Sequence, residues 1–330
     1  MTRSDIIARF LAKHGYGSAE RQTLAADASF RRYLRITGGP LPAVLMDAPP
    51  GQEDARPFLR IRAHLAGLGL SVPEVLAADV EAGLVLLGDL GDALFPAVLT
   101  EENCFALYDA ATDALAAMYA APPPADLPPW DGSAMARAAE ATFLDWWWPD
   151  CFGAPASKPV RQAFGDALAA LLAPLAALRG FVHRDYFADN LFWLPDRPRL
   201  TQVGIIDFQD AAIGHPAYDL AALVQDARRD LPDGLAERQV GRYLTLRPEL
   251  DEAAFRSAFA VAAAHRHLRV AALWLRLARR DGKPGYLRHG PRTWRLLERA
   301  VAHPAAAPLA AFLDRWVAPE RRASPATRAA

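Results

Sequence analysis

Lysine is nearly absent. The 330 residues hold only Lys13, Lys158 and Lys283, so positive charge is carried almost wholly by arginine. Cysteine is scarcer still. Cys104 and Cys151 are too few and too far apart for a disulfide framework or a zinc cluster, which suits a reducing cytoplasm. Neither sign of charge dominates, and a formal net charge of -1 gives no electrostatic reason to expect nucleic acid or a polyanion. The longest apolar run, Ala167–Leu178, is too short to span a bilayer and contains Pro174. The stretch MTRSDIIARFLAKHGYG is charged throughout and lacks the apolar core and cleavage site of a secretory signal. These features lead us to expect a cytoplasmic protein without nucleic-acid or membrane partners. Nothing in them identifies a protein partner.

Against this background one stretch stands out, VHRDYFADNLFWLPDRPRLTQVGIIDFQD, from Val182 to Asp210. It offers His183-Arg184-Asp185, then Asn190 five residues after the aspartate, then an apolar run ending in Ile206-Asp207-Phe208. Leu191–Leu194 and Leu200–Ile206 read as the strands of a hairpin turned at Asp196-Arg197-Pro198, which brings Asp207 out beside Asn190. The order of residue types resembles the kinase signature of a catalytic loop followed by a metal aspartate. It gives Asp185 as the carboxylate that orients and deprotonates an attacking hydroxyl, and Asn190 and Asp207 as oxygen ligands for Mg²⁺ against the phosphates of ATP. His183 and Asp219 are expected to support the loop, Asp219 by accepting hydrogen bonds from its backbone.

The rest of the chain falls in place around that stretch. A first helix is expected with Ser4 as its N-cap and Ile6, Ile7, Phe10 and Leu11 on one face. Two strands over residues 23–46 alternate, with a hairpin turn at Ala26–Ser29, and Leu41–Met46 gives a third. A helix over Asp54–Leu68 and strands at Val75–Ala78 and Leu84–Leu87 complete a small lobe. The fold class is α+β, a bilobal protein-kinase-like fold. Its N-terminal lobe, residues 1–87, is a small antiparallel β-sheet with one helix. Residues 88–92 are expected to form a hinge, 93–318 a mainly helical C-terminal lobe and 319–330 a disordered tail. Ser29 and Arg32 are expected near the nucleotide phosphates, and Gly88, Asp89 and Leu90 near the adenine. The third strand lacks the lysine a kinase uses there, which leaves Arg31, Arg32, Arg35 or Arg60 to take over that contact. In Trp146-Trp147-Trp148, consecutive helical positions face different ways, so at least one ring is expected at a pocket or a partner. Glu140, Asp145, Trp146 and Arg266 are the expected acceptor-site residues.

Several motifs carry a resemblance to a known family: Asp27-Ala28-Ser29-Phe30-Arg31-Arg32-Tyr33, Met46-Asp47-Ala48-Pro49-Pro50, Leu87-Gly88-Asp89-Leu90-Gly91, Ile206-Asp207-Phe208-Gln209-Asp210 and Arg266-His267-Leu268. The chain resembles the aminoglycoside phosphotransferase/choline kinase superfamily, and within it the anomeric kinases of N-acetylmuramate and N-acetylglucosamine that act in cell-wall recycling. The resemblance implies transfer of the ATP γ-phosphate, with Mg²⁺, to the C1 hydroxyl of an amino sugar. It also implies that the missing lysine is a trait of this branch. An aminoglycoside phosphotransferase, a choline or homoserine kinase and a nucleotide-binding pseudokinase are the alternatives.

Overall fold

A short polar cap and an apolar stripe start the first helix. In the computed structural model, which describes residues 2–24 and 30–323, α1 spans Arg3–Lys13. Its N-cap is Thr2, two residues earlier than the sequence suggested. The Thr2 hydroxyl accepts the Asp5 amide while the Asp5 carboxylate accepts the Thr2 amide, a capping box that satisfies two otherwise orphaned donors. Ile7, Phe10 and Leu11 lie buried on one face and pack on Ile36, Ala43, Leu45, Leu84 and Leu86 of the sheet. Full burial of such a side chain stabilises by about 1.5–3 kcal/mol.

That sheet is antiparallel. Its strands are β1 (Glu20–Thr23), β2 (Arg32–Thr37), β3 (Ala43–Asp47), β4 (Val75–Asp79) and β5 (Leu84–Gly88), in the order β1-β2-β3-β5-β4. Tyr33 faces Met46 across β2 and β3, and Arg35 faces Val44. With a side-chain period of two, Tyr33 and Arg35 therefore share the face opposite Leu34 and Ile36. The expected turn at Ala26–Ser29, with Ser29 itself, lies outside the described residues. Between β3 and β4 runs α2 (Arg56–Gly67), which has no side-chain cap but carries Pro57 in its first turn, where a missing N–H costs nothing. Phe58, Ile61 and Leu65 are its buried face.

The chain divides into two compact units, and the boundaries differ from those expected. One unit holds Met1–Leu99 together with Asp189–Asp210, and the other holds Thr100–Ala188 with Ala211–Ala330. The hairpin of Leu191–Trp193 and Val203–Ile205 thus belongs with the sheet, not with the helices. Backbone contacts explain this. The Ile205 amide donates to Ser71 O at 2.8 Å, the Trp193 amide donates to Ala93 O at 2.7 Å, and Phe208 stacks on Phe58 with centroids 4.9 Å apart.

The second unit is mostly helical. At its centre Glu252–Arg280, 29 residues long and capped by Asp251, is buried on nearly every side between Ala258 and Leu277. An apolar circumference of that kind marks a helix surrounded by others. A three-stranded sheet that the sequence reading did not anticipate joins Pro129–Trp130, Ala212–Gly214 and Gly180–Val182. Gly180 is needed there, because a Cβ would meet the Tyr119 ring at 2.2 Å. The tryptophan cluster lies on a π-helix, Glu140–Trp147, followed by an α-turn, Trp148–Phe152. The wider turn of a π-helix brings Phe143, Trp147 and Trp148 to one side. Phe143 stacks on Trp147 at 4.6 Å and Trp148 stacks on Phe152 at 4.3 Å, so two of the three indoles are core and Trp146 is half-buried.

The start of the expected disordered tail is ordered. Pro319–Arg321 form a 3-10 turn, Arg321 Nη1 donates to Cys151 O at 2.7 Å, and Trp147 Nε1 donates to Ala323 O at 3.2 Å. Among the described residues, no helix is long and apolar enough to cross a membrane.

Candidate active site

In the helical unit, the strand Gly180–Val182 ends at His183 and the chain turns sharply. Arg184 has φ = 76°, a left-handed conformation that costs a residue with a Cβ about 1–2 kcal/mol. Asp219, on the helix Ala217–Val224, holds this turn. Its carboxylate accepts the His183 amide at 2.6 Å and the Arg184 amide at 2.8 Å, and it is itself buried. The Asp185 amide donates to His183 Nδ1 at 3.3 Å. The Tyr186 hydroxyl donates to Ala111 O at 2.8 Å, and the Arg184 guanidinium stacks 4.3 Å above Trp130. Asp185, half-buried, is thus carried on a backbone fixed on both sides. Burial pushes the Asp219 carboxyl up from 3.8 to about 7. The two backbone donors and Arg266 oppose that shift, and the charge of Asp185 adds to it.

Three arginines lie near this loop. Arg266 is only 3% exposed, and burial lowers its pKa. Arg269, one turn further along the same helix, donates to the Tyr218 hydroxyl at 3.3 Å. Both feel the charge of Asp185. Arg228 stacks 4.3 Å above Phe187, and Arg266 lies 5.9 Å from the same ring. His265 and His267 are occupied elsewhere, His265 Nε2 with Met135 O and His267 Nε2 with Gln225 Oε1, each at 2.8 Å.

In the sheet unit, Asn190 and Asp207 meet at the base of the hairpin. Asn190 Nδ2 donates to Asp207 Oδ2 at 3.4 Å, and Gln209 Nε2 donates to Asp207 Oδ1 at 2.8 Å. Asp207, like Arg184, has a left-handed backbone, with φ = 62°. Non-glycine residues held in that region mark sites where surrounding structure overrides local preference. Gln209 Oε1 is buried without a hydrogen-bond partner among the described residues. One carboxylate and two amide oxygens, one of them orphaned, fit a hard cation that takes its remaining ligands from phosphate and water. No cluster of three or more His, Cys, Asp or Glu side chains suited to a metal occurs among the described residues, so a site made only of such protein ligands is not present there.

Arg31 Nε donates to Glu53 Oε2 at 3.1 Å, with both side chains largely buried at 12% and 14% exposure. Tyr33 lies beside them. Burial raises its phenol pKa, Arg31 lowers it, and Asp207 and Glu53 raise it further. Arg31, Tyr33, Glu53 and Asp207 therefore form one electrostatic group.

Arg32, expected at the phosphates, pairs with Asp47 at 2.6 Å, and Arg3 binds the same buried carboxylate. Asp89 pairs with Arg35 at 2.7 Å and accepts the Gly91 amide, which shapes the expected hinge. The Gly88 amide donates to Glu74 O at 2.8 Å, and Leu90 Cδ1 lies near Gly204. Asp145 is exposed and pairs with Arg161 at 2.8 Å, while Glu140 opens the π-helix, half-buried. Arg266 alone of the four expected acceptor-site residues is brought into range of Asp185 in these contacts. The sequence reading did not single out Arg269, Phe187, Arg228 or Gln209. The i, i+3 spacing of Arg266 and Arg269 was a usable signal for the first.

Residues 20–256 match the profile of the phosphotransferase enzyme family. The chain is 37% identical to an N-acetylmuramate/N-acetylglucosamine kinase of Caulobacter vibrioides, over 96% of this chain and 97% of that protein. It is 37% identical to a Pseudomonas aeruginosa protein of the same name, over 86% and 84% of the two chains. Among solved structures it is similar to a choline/ethanolamine kinase family protein of Mesorhizobium loti. The TM-score is 0.63 at 16% identity, covering 95% of this chain and all of that one. That likeness establishes the protein-kinase-like fold. With a family profile that spans both the braced loop of Asp185 and the Asn190–Asp207 pair, the chain belongs to the phosphotransferase enzyme family.

Proposed function

We propose that this protein transfers the γ-phosphoryl group of ATP, with Mg²⁺, to the anomeric C1 hydroxyl of N-acetylmuramate and N-acetylglucosamine, in the cytoplasm, as a step of peptidoglycan recycling. The observation that carries the reading is end-to-end identity of 37% with a relative named for those two sugars. The braced geometry of Asp185 supports it.

Asp185 accepts a hydrogen bond from the C1 hydroxyl and sets its direction of attack. An anomeric hydroxyl is more acidic than an ordinary alcohol, so its proton passes to the carboxylate late, as the new O–P bond forms and the bond to the β-phosphate oxygen breaks. ADP leaves with that electron pair. A positioned base of this kind contributes about 10²–10⁴-fold. Asp207, Asn190 and the orphaned oxygen of Gln209 would hold Mg²⁺, which offsets charge on the phosphoryl oxygens. Arg31, paired with Glu53 close to the helix that follows the third strand, takes the part of the lysine–glutamate ion pair of protein kinases. Arg32 and Arg35 are committed to Asp47 and Asp89 and leave that role to Arg31. The arginines around Asp185 also weigh against a polycationic aminoglycoside as acceptor, since like charges would repel it.

The test is ADP release by purified protein with Mg·ATP and each sugar in turn, with kanamycin and choline alongside. Turnover with the sugars that is abolished by Asp185→Asn is the expected result. Turnover with kanamycin or choline alone would refute it.

A further inference from the structure

We propose that Arg266 and Arg269 form a carboxylate-binding subsite beside Asp185, which makes this enzyme favour the acidic sugar N-acetylmuramate over neutral N-acetylglucosamine. The inference rests on the sugar-kinase reading above and adds the group that tells the two acceptors apart.

Arg266 is the unusual observation. Its side chain is 3% exposed, yet Nε and Nη1 have no hydrogen-bond partner among the described residues. Arg269 Nε is in the same condition. A buried guanidinium with unmet N–H groups is destabilising and is retained where something else completes it. Of the acids within electrostatic range of Arg266, Asp185 is left for the acceptor hydroxyl and the other two are held elsewhere. Asp226 is held by the Arg229 side chain at 2.8 Å and the Arg228 amide at 2.8 Å, and Asp219 by the amides of His183 and Arg184. The missing acceptor is best supplied by a ligand.

Position says which ligand. Arg266 and Arg269 are one helical turn apart on Glu252–Arg280, in the same compact unit as Asp185, and both feel its charge. Phe187, two residues beyond Asp185, lies 5.9 Å from the Arg266 guanidinium, while the Tyr218 hydroxyl takes a bond from Arg269. The groups suited to the nucleotide phosphates and Mg²⁺, namely Arg31, Asn190 and Asp207, belong to the other unit. The two arginines therefore accompany the base that receives the acceptor, and the anion they await is on the acceptor. N-acetylmuramate carries a lactyl ether ending in a carboxylate, where N-acetylglucosamine has a plain hydroxyl. A planar guanidinium matches a carboxylate with two parallel N–H···O bonds, and a neighbouring second guanidinium adds charge without competing for the same geometry.

The experiment compares kcat/KM of the wild-type enzyme for N-acetylmuramate, its uncharged methyl ester and N-acetylglucosamine. It then repeats the acid and neutral sugars with Arg266→Lys and Arg269→Gln. We expect wild type to favour the acid over its ester, and each variant to lower the ratio of acid to neutral sugar on the order of 10²–10³-fold for Arg266 and less for Arg269. An ester used as well as the acid overturns the subsite and leaves the sugar-kinase reading intact, whether or not the variants fold. Equal losses with both sugars also overturn it and move the arginines to the phosphoryl group. Wild-type protein that phosphorylates neither sugar sinks the function and the subsite together.

Discussion

Replacing Asp219 with asparagine should disable the catalytic loop without touching the nucleotide. The carboxylate accepts two buried backbone amides, at 2.6 and 2.8 Å, and those bonds hold Arg184 in a left-handed turn. Asparagine keeps one acceptor oxygen and turns an NH₂ group toward the other amide. One buried donor is then unpaired, at a cost of about 1–3 kcal/mol. Release of the left-handed Arg184, worth about 1–2 kcal/mol, favours letting go of the turn. With 1.4 kcal/mol per tenfold in rate, kcat should fall roughly 10- to 100-fold. The KM for ATP should stay within about threefold, because Arg31, Asn190 and Asp207 belong to the other compact unit. The assay is steady-state ADP release at varied ATP and saturating sugar, on protein whose melting curve shows it folded. Wild-type kcat in Asp219→Asn, or a rise in ATP KM as large as the fall in kcat, would refute the reasoning. The same substitution carries a pH signature. Burial raises the Asp219 pKa from 3.8 to about 7, so the folded protein binds a proton that the unfolded chain has released. The stability this group contributes is full below about pH 4 and is lost as pH rises through about 7. Melting temperature against pH should therefore fall more steeply over that window in wild type than in Asp219→Asn.

Three further outcomes follow from the geometry. Asp185→Asn should retain Mg·ATP binding and lose about 10²–10⁴-fold in turnover, whereas Asp207→Ala should weaken Mg·ATP binding as well; calorimetric titration of both variants with Mg·ATP distinguishes the roles, and equal affinities would contradict them. Arg31→Ala should raise the KM for ATP and leave the KM for the sugar nearly unchanged, and a rise in the sugar KM alone would remove Arg31 from the phosphates. Trp147→Ala should cost about 3–5 kcal/mol of stability in urea unfolding, because the indole is fully buried and stacked on Phe143, with kinetic constants of the folded enzyme close to wild type.

Much of the fold was legible because its signals are local. The alternation of β2, the apolar stripe of α2 and the long run from Asp251 to Arg280 each announce their element by period alone. The braced turn before Asp185 and the meeting of Asn190 with Asp207 could be anticipated from types and spacing, since these residues are close in sequence. What escaped depends on tertiary partners. Nothing local shows that Trp146-Trp147-Trp148 rides a π-turn, which puts two indoles in the core where an ordinary helix would splay them. The ion pairs of Arg31, Arg32 and Arg35 are with distant acids, Glu53, Asp47 and Asp89, that only the folded sheet brings near. The two compact units part at Ala188 and Asp189, inside the motif itself, because Ser71 and Ala93 bind the hairpin through backbone bonds that carry no side-chain signature.

The most direct test of the central claim is phosphorus NMR of the wild-type protein with Mg·ATP and N-acetylmuramate, with Asp185→Asn as the blank. The account predicts a new phosphate monoester signal, split by coupling to the anomeric proton, that appears with wild type and is absent from the blank. A product phosphorylated at another hydroxyl, or the same signal in the blank, would contradict it.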